Sequence, residues 1–270
     1  MDEPQTVADA LIEAAAELIA SSEHVVVLTG AGISKESGIP TFRGKDGLWT
    51  LNGEPPLNQY QTFEQDPRRW WEHRIEQQSD PDALASRFRD SEPNDAHYAL
   101  VRLEAAGAIS HVITQNVDNL HRRAGQQSLT EIHGNTRWLR CVDCGSRWPV
   151  EEFPVDLEAL PPRCTRRGCE GIVKGDGVMF GEPIPADALA RCEMESRLAD
   201  CFLLVGTSAV VYPAAAFPQM AARRGVPLIE VDPEQTVLSD IVEYALRGPA
   251  GEVLPRLADA ILRRKRAPEA

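Results

Sequence analysis

Four cysteines in the middle of the chain have the spacing of a metal site. They form two close pairs, Cys141-x2-Cys144 and Cys164-x4-Cys169, with 19 residues between the pairs. Brought together, two such pairs close a tetrahedral shell of four thiolates around zinc. Because four thiolates leave no open position for water or substrate, we expect one structural Zn2+. The alternative is a thiol redox switch.

A second group of reactive side chains follows the short apolar segment His111–Thr114. Gln115, Asn116 and Asp118 come directly after it, where a strand of an α/β sheet presents its ligands. Carboxamide and carboxylate groups at this place either bind a ligand or cap a turn, a role that Asn and Asp often have. His133, further along the chain, can exchange a proton near neutral pH or act as a hydrogen-bonding residue of a loop.

A glycine turn follows the first apolar run of the chain. Gly30-Ala31-Gly32 comes after the apolar, mostly β-branched residues 25–28, and bare N–H groups in such a turn can bind a pyrophosphate. The dinucleotide-binding fingerprint is incomplete, because Lys35 stands where its third glycine would be. No acidic residue ends a second strand about 20 residues later. The turn alone leaves a phosphate site and a purely structural turn equally open.

These candidate residues lie between segments that alternate like βαβ units. Short apolar runs that end in glycine or polar residues predict buried parallel strands, and the segments between them have helical spacing of apolar residues. The alternation predicts an α/β fold with a Rossmann-like, doubly wound parallel sheet. The predicted strands are 24–29, 111–114, 202–206 and 227–231, and the predicted helices are about 5–20, 94–107, 186–198 and 213–224.

Two stretches interrupt this alternation and predict a smaller domain. Residues 44–93 are rich in Gly, Pro, Gln and aromatic residues, which indicates a helical insertion with exposed loops. Residues 134–181 contain the four clustered cysteines and four prolines, which indicates a zinc-binding module. The Rossmann-like domain then consists of residues 1–43, 94–133 and 182–270. The basic run 263–266 is interpreted as a solvated tail.

The composition excludes several classes of protein. The chain has 270 residues, 43% of them apolar, which is enough for a packed core. Its 28 basic and 41 acidic residues give a formal net charge of −13, so we expect no direct binding of duplex nucleic acid. No run approaches the roughly 18 apolar residues of a membrane span. The first residues are acidic where a secretory signal would be basic, and we expect a cytoplasmic protein.

Five short motifs follow one another along the chain. They are Gly30-Ala31-Gly32-Ile33-Ser34, Thr114-Gln115-Asn116-Val117-Asp118, His133-Gly134, Phe180-Gly181-Glu182 and Gly206-Thr207-Ser208. This ordered set closely resembles the motifs of the sirtuins, the NAD-dependent protein lysine deacylases, and the resemblance covers about residues 24–250. It implies a large Rossmann-like domain, a small zinc-bearing domain, and a cleft between them for NAD and an acyl-lysine peptide.

The resemblance also implies a reaction and its catalytic residues. The acyl carbonyl oxygen attacks the anomeric carbon of the nicotinamide ribose, and nicotinamide leaves. His133 would be the general base toward a ribose hydroxyl, while Asn116 and Asp118 would hold the nicotinamide amide and stabilise positive charge on the sugar. Phe42 would shield the reacting sugar, and Arg43 would contact phosphates or order the loop.

The implied NAD-binding residues follow the ends of several strands. One of them, Asp232, stands where sirtuins commonly have Asn. The full implied set is Gly30, Ala31, Gly32, Ile33, Thr41, Phe42, Arg43, Gln115, Asn116, Asp118, Gly206, Thr207, Ser208, Asp232, Pro233, Glu234 and Ala250.

The implied peptide-binding residues are Val178, Phe180, Gly181 and Glu182, in a segment that resembles the family's strand for pairing with substrate backbone. The preceding Gly175-Asp176-Gly177 lacks the proline and the branched residue usual there, which predicts a more flexible loop.

The motifs give conflicting indications of which acyl group is removed from lysine. One branch of the family prefers succinyl or malonyl lysine and carries a Tyr-x-x-Arg motif in a helix that corresponds to about residues 68–78. This chain has no tyrosine there, but it has Arg74, which we retain as a candidate partner for an acyl carboxylate. The cysteine spacing and Thr41-Phe42-Arg43 resemble that branch.

We expect deacetylation with release of nicotinamide and O-acetyl-ADP-ribose. Desuccinylation or demalonylation and NAD-dependent ADP-ribosyl transfer are the alternatives. The sequence does not indicate the oligomeric state.

Overall fold

A computed structural model describes residues 7–80 and 83–266 of the chain. The strands of this part form two sheets, one large and parallel, the other small and antiparallel. The strands are β1 (Val25–Thr29), β2 (His111–Thr114), β3 (Leu129–Glu131), β4 (Trp138–Cys141), β5 (Arg147–Pro149), β6 (Val173–Gly175), β7 (Cys201–Val205), β8 (Leu228–Val231) and β9 (Tyr244–Leu246).

The large sheet has six parallel strands in the order β3-β2-β1-β7-β8-β9. The chain first adds strands on one side of β1 and then, from β7 onwards, on the other side. In such sheets, ligands bind in the crevice beyond the carboxyl ends of the strands where this reversal occurs. The predicted α/β class is confirmed, and the site is expected beyond the ends of β1, β2 and β7.

Helices α1, α6 and α10 pack on one face of the large sheet, and α8 and α9 pack on the other. The helices of the described residues are α1 (Asp9–Ser21), a 3-10 helix (Ala31–Ser37), α2 (Leu48–Asn52), α3 (Gln59–Gln65), α4 (Pro67–Ser79), α5 (Leu84–Asp90), α6 (Asp95–Ala105), α7 (Leu120–Ala124), α8 (Ala186–Leu198), α9 (Ala216–Arg223) and α10 (Ala250–Arg266). Of these helices, none combines the length and the apolarity that a membrane crossing requires.

Strand β1, in the middle of the large sheet, contributes side chains to two separate cores, because successive side chains of a strand point to opposite faces. Val25 and Val27 of β1 pack with the faces of α1, α6 and α10. Val26 and Leu28 pack on the other side with α8 and α9. All five residues of β1 are buried, as expected of a strand in the middle of a doubly wound sheet.

The small antiparallel sheet has the order β5-β4-β6 and a core of its own. Trp71 of helix α4 is a member of that core, and its indole Nε1 donates a 2.8 Å hydrogen bond to the carbonyl oxygen of Val173. Four helices, α2 to α5, lie within the predicted helical insertion. The two insertions therefore meet, as the predicted fold class requires.

The structure departs from the predicted elements mainly at the ends of the chain and of the sheet. The edge strands β3 and β9 have three residues each, which is too short for a recognisable apolar pattern. Residues 263–266 are mostly exposed to solvent, as expected, but they are not a tail, because they form the last turn of α10 and Arg263 pairs with Glu13 of α1 at 2.6 Å. The start of the first predicted helix, at residues 5–6, lies outside the described residues.

Candidate active site

The turns after β1 and β7 interlock beyond the middle of the sheet. Gly30 and Gly32 donate backbone hydrogen bonds to the carbonyl oxygens of Val205 (3.0 Å) and Gly206 (2.9 Å). A Cβ atom on Gly32 would lie 2.5 Å from the Cα of Gly206, so a side chain does not fit there. Two of the N–H groups expected to face a phosphate are therefore bonded within the protein, and these glycines serve close backbone approach.

Asn116 and Asp118 follow β2 and are both buried. They meet at Ser34 of the 3-10 helix, whose Oγ accepts a bond from Asn116 Nδ2 (3.1 Å) and donates one to Asp118 Oδ2 (2.7 Å). The other oxygen, Oδ1, accepts the backbone N–H of Leu120 at 2.9 Å. Burial raises the pKa of Asp118 above its usual value, and these two bonds oppose that shift by favouring the carboxylate.

Ser34 was not among the predicted site residues. The sequence could have indicated Ser34, because its hydroxyl directly follows the apolar run Gly30-Ala31-Gly32-Ile33. In the structure, Ser34 is fully buried. A buried hydroxyl normally has a polar partner, and here it has two.

His133 lies beside the same group of residues. Its Nδ1 is 3.1 Å from the carbonyl oxygen of Gln115. A carbonyl can only accept, so Nδ1 carries the proton and Nε2 keeps its lone pair. Burial lowers the pKa of His133 below the ordinary value, which favours this neutral form. The imidazole therefore has the tautomer and the charge that a general base needs.

Gln115 connects the ends of β1, β2 and β7. Its Nε2 donates to Thr207 Oγ1 at 2.8 Å, and its backbone N–H donates to the carbonyl oxygen of Thr29 at 3.0 Å. Thr207 is buried and Ser208, which follows it, is half-buried. The predicted residues after these three strands thus lie in one place.

The predicted residues after β8 lie at the edge of this region. Asp232 Oδ1 accepts the backbone N–H of Glu234 at 3.0 Å, and burial raises the pKa of Asp232 to about 6. Pro233 and Glu234 are exposed, whereas Ala250 is buried at the first turn of α10. A Cβ atom on Gly44 would lie 3.3 Å from Glu234 Oε2, so the loop that follows the glycine turn passes close to this edge.

That loop, residues 41–53, folds back on itself and is named the cofactor loop below. Leu48 and Trp49 donate backbone hydrogen bonds to the carbonyl oxygens of Thr41 and Phe42, both at 2.8 Å. The guanidinium of Arg43 lies 4.5 Å from the ring centre of Trp49 and pairs with Glu54 at 2.8 Å. Of the two roles expected for Arg43, the structure shows contacts that order the loop.

The predicted peptide-binding residues lie in residues 178–182, named the peptide segment below. The segment is not part of either sheet of the described residues, and its expected partner is the backbone of a substrate peptide. Val178 donates its backbone N–H to the carbonyl oxygen of His133 (2.9 Å), and Phe180 accepts one from Tyr60 of α3 (3.0 Å). The segment is thus bonded both to the loop of the candidate base and to the helical insertion.

The loop before the peptide segment is tightly held, contrary to the predicted flexibility. The buried carboxylate of Asp176 pairs with Arg140 (2.7 Å) and Arg147 (2.6 Å) and accepts the backbone N–H of Asn135 at 2.9 Å. Lys174, also buried, pairs with Glu182 at 3.0 Å. The glycines on each side permit the bends, while buried charges fix their positions.

Comparison with known proteins decides the family. The model of the Sir2 family matches residues 30–213. The NAD-dependent protein deacylase 2 of Pyrobaculum aerophilum is 43% identical over 258 residues, which cover 94% of this chain and 98% of the relative. The chain belongs to the Sir2 family.

Solved Sir2 structures resemble more than nine-tenths of the chain. One neighbour, a Sir2 homologue in complex with NAD, has a TM-score of 0.76 and 39% identity, covering 94% of each chain. Another is a Sir2 variant with a deacetylated p53 peptide and 3′-O-acetyl ADP-ribose; its TM-score is 0.76 at 33% identity, covering 92% of this chain and 97% of the other.

The four cysteines of this Sir2 chain fit a structural zinc. Their sulfur atoms all lie within 4.8 Å of one another, and the Cys141–Cys169 and Cys144–Cys164 Sγ distances are both 3.7 Å. A tetrahedron with Zn–S bonds of about 2.3 Å has sulfur atoms about 3.8 Å apart. The protein therefore presents the four thiolates at the spacing that zinc requires.

Arg74 lies in the small domain of this Sir2 chain, on α4. Its guanidinium lies 5.7 Å and 5.8 Å from the ring centres of Trp70 and Trp71, and its Nη1 would be 2.7 Å from a Cβ atom on Gly175. Its Nε is buried without a hydrogen-bond partner, and within residues 7–80 and 83–266 it forms no ion pair. It also lines a cavity of about 180 Å³ with Leu139 and other apolar side chains.

Proposed function

We propose that this chain removes acyl groups from lysine side chains of proteins in an NAD-dependent reaction that releases nicotinamide and O-acetyl-ADP-ribose. The observation that carries this proposal is the meeting of an amide, a carboxylate and an imidazole beyond the switch point of the sheet. Asn116 and Asp118 share Ser34, and His133 is bonded to the residue before Asn116. The family and the NAD and peptide complexes of its members support the same assignment.

NAD, when bound, supplies the ADP-ribosyl group that takes over the acyl group. The residues proposed to hold it are those that follow β1, β2, β7 and β8. Thr207 and Ser208 offer hydroxyl groups to phosphate or ribose, and Asp232 offers a carboxylate to the adenosine ribose. At neutral pH this carboxylate is mostly ionised, since its pKa is raised only to about 6.

Asn116 and Asp118 are proposed to act where positive charge develops. The amide of Asn116 would hold the nicotinamide amide, and the carboxylate of Asp118 would offset charge on the ribose. Both side chains are fixed before any ligand arrives, because Ser34 bonds to each of them. Such fixed groups need no reorganisation during the reaction.

His133 is proposed as the general base. Its Nε2 lone pair would accept a proton from a ribose hydroxyl, while Nδ1 remains bonded to Gln115. The peptide segment is attached to the same loop through Val178, so substrate backbone and base are positioned together. An extended peptide would pair with this segment and place its acyl-lysine between the two domains.

Arg74 favours a second candidate substrate class, acyl groups that carry a carboxylate. A half-buried guanidinium with an unpartnered Nε has unused hydrogen-bonding capacity that a carboxylate can satisfy. Desuccinylation or demalonylation would use the same Asn116, Asp118 and His133. Neither way of aligning the Tyr-x-x-Arg motif of the corresponding sirtuin branch gives a tyrosine here. Without a gap, Arg74 and Gln77 take the two positions; with a shift of one turn, Trp71 and Arg74 do, and Trp71 Nε1 already donates to the Val173 carbonyl oxygen.

One experiment tests these proposals together. The purified protein is incubated with acetylated, succinylated and unmodified versions of one peptide, with and without NAD, and all products are identified by mass spectrometry. Free nicotinamide, deacylated peptide and O-acyl-ADP-ribose are expected. ADP-ribose attached to an acceptor would favour ADP-ribosyl transfer, and the absence of nicotinamide release would refute an NAD-consuming enzyme.

His133→Ala is the matched inactive variant. We expect it to keep ADP-ribose binding and zinc content while deacylation falls by at least about 100-fold, as expected for loss of a general base. Near-normal turnover would refute the role of His133.

The cellular setting is also a proposal. A cytoplasmic location is supported by four reduced cysteines at zinc spacing. The net charge of −13 supports the absence of direct duplex nucleic acid binding.

A further inference from the structure

Three aromatic rings connect the cofactor loop to the peptide segment. The ring of Trp49 lies between the two, with its centre 4.9 Å from that of Phe42 and 5.6 Å from that of Phe180. The interplanar angles are 37° and 62°, and both distances are in the range at which aromatic pairs attract each other. Trp49 therefore contacts a residue on the NAD side and a residue on the peptide side at the same time.

The cofactor loop is folded so that Trp49 reaches this position. Gly47 passes so close to Arg43 that a Cβ atom there would lie 2.5 Å from the Arg43 carbonyl carbon. After this crossing, the backbone N–H of Trp49 donates to the carbonyl oxygen of Phe42. The guanidinium of Arg43 covers the indole, and Glu54 in turn holds Arg43.

Phe180 is held equally well on the other side of the contact. Its backbone carbonyl accepts the N–H of Tyr60, and its backbone N–H donates to Gln59 Oε1 at 3.4 Å. A peptide that pairs with the peptide segment would fix this ring further. Because Trp49 is only half-buried on the short helix α2, which contributes no buried residue, its position depends on these ring contacts.

We propose that Trp49 is a positioning residue that couples peptide binding to NAD binding, by transmitting the placement of Phe180 to Phe42. This inference rests on the proposed function, since it assigns NAD to one side of Trp49 and the acyl-lysine peptide to the other. Peptide on the ordered segment steadies Phe180, Phe180 steadies Trp49, and the loop then holds Phe42 over the ribose. Each ligand consequently binds more tightly when the other is present.

The coupling is measured with ADP-ribose, which lacks nicotinamide and so cannot react. The dissociation constant of ADP-ribose is determined calorimetrically with and without a saturating acetyl-lysine peptide. In the unaltered protein, we expect peptide to tighten ADP-ribose binding. In Trp49→Leu, we expect that factor to shrink by about three- to tenfold, the range that corresponds to loss of an aromatic pair. Trp49→Phe, which keeps a ring, should retain most of it.

Trp148→Leu is the matched control. It removes an aromatic pair of similar geometry, with Phe153 at 5.0 Å, inside the zinc-binding module. We expect its coupling factor to equal that of the unaltered protein. Zinc content and thermal stability are measured for every variant, and Trp49→Leu should match the unaltered protein in both.

Three results would overturn the proposal. They are no coupling in the unaltered protein, equal coupling in Trp49→Leu, or an equal loss in Trp148→Leu. If the unaltered protein binds neither ADP-ribose nor peptide, the proposed function itself fails, which is a different outcome.

Discussion

Replacing Asp176 tests whether a buried charge cluster fixes the loop that carries the candidate base. The side chain of Asp176 is 0% exposed, while those of Arg140 and Arg147 are 15% and 33% exposed. Solvent therefore screens the Arg140 pair little. Asp176→Ala leaves Arg140 without its counterion and removes the acceptor for the Asn135 backbone N–H. Breaking a buried pair by removing one partner costs about 3–5 kcal/mol.

The loss is expected at a particular place. Asn135 lies two residues after His133, and a Cβ atom on Gly134 would collide with the backbone carbonyl of Asp176. The variant should therefore weaken the loop of His133 as well as the small sheet. We expect the free energy of unfolding to fall by about 3–5 kcal/mol. We also expect kcat for deacylation to fall more than ADP-ribose affinity, since Thr207, Ser208 and Asp232, which are proposed to contact ADP-ribose, follow other strands.

Urea denaturation followed by near-ultraviolet circular dichroism, and calorimetric titration with ADP-ribose, measure these effects. Glu158→Ala is the control, because Glu158 is an exposed residue of the same module, and its cost should stay within about 0.5 kcal/mol. A cost below about 1 kcal/mol for Asp176→Ala would show that the cluster does not hold the loop.

Three further predictions concern other buried groups. Burial lowers the pKa of His97 to about 4; the unfolded chain, at about 6.5, takes up its proton first. The contribution of His97 to stability should therefore be fully present above about pH 7 and be lost towards pH 4. His97→Gln should reduce the loss of stability between pH 7 and 4.5 by about 2–3 kcal/mol, measured by urea titrations at each pH. An unchanged pH dependence in the variant would contradict this. Removal of zinc with a chelator should unfold the small sheet and abolish deacylation, as followed by circular dichroism, and an active metal-free protein would refute a structural zinc. Lys174→Met should raise the peptide KM at least about fivefold with unchanged ADP-ribose affinity, because Glu182 of the peptide segment loses a buried partner. Lys265→Met is the control. Equal peptide KM values for Lys174→Met and the unaltered protein would refute a role of Lys174 in peptide binding.

The central sheet could be predicted from the sequence because its strands are buried on both faces. Residues 25–28 form an uninterrupted β-branched or apolar run, and the predicted strand His111–Thr114 has the bounds found in the structure. The strand predicted at 202–206 ends one residue early, since Gly206 has a φ of 57° and turns away. A strand that is buried on both faces of a parallel sheet is recognisable from its own continuous apolar run, so its prediction needs no information about distant residues.

The site could be predicted only in part, because many of its contacts join residues distant in the sequence. The motifs indicated Asn116, Asp118 and His133, but not that Ser34 joins the first two. The glycines on both sides of Asp176 predict a flexible loop. The two partners of Asp176, Arg147 and Arg140, are 29 and 36 residues away, so the sequence around Asp176 does not indicate these ion pairs.

The glycine interlock between the turns after β1 and β7 has a consequence for how this protein can change. At Gly30, Gly32 and Gly206 main chain touches main chain, so substitution there would push apart the two halves of the sheet. Arg74 and Trp49 lie outside this main-chain contact and are partly exposed, so their side chains can vary without that effect. Adaptation to a new acyl group or peptide can therefore proceed through such side chains, whereas these three glycines leave no room for one.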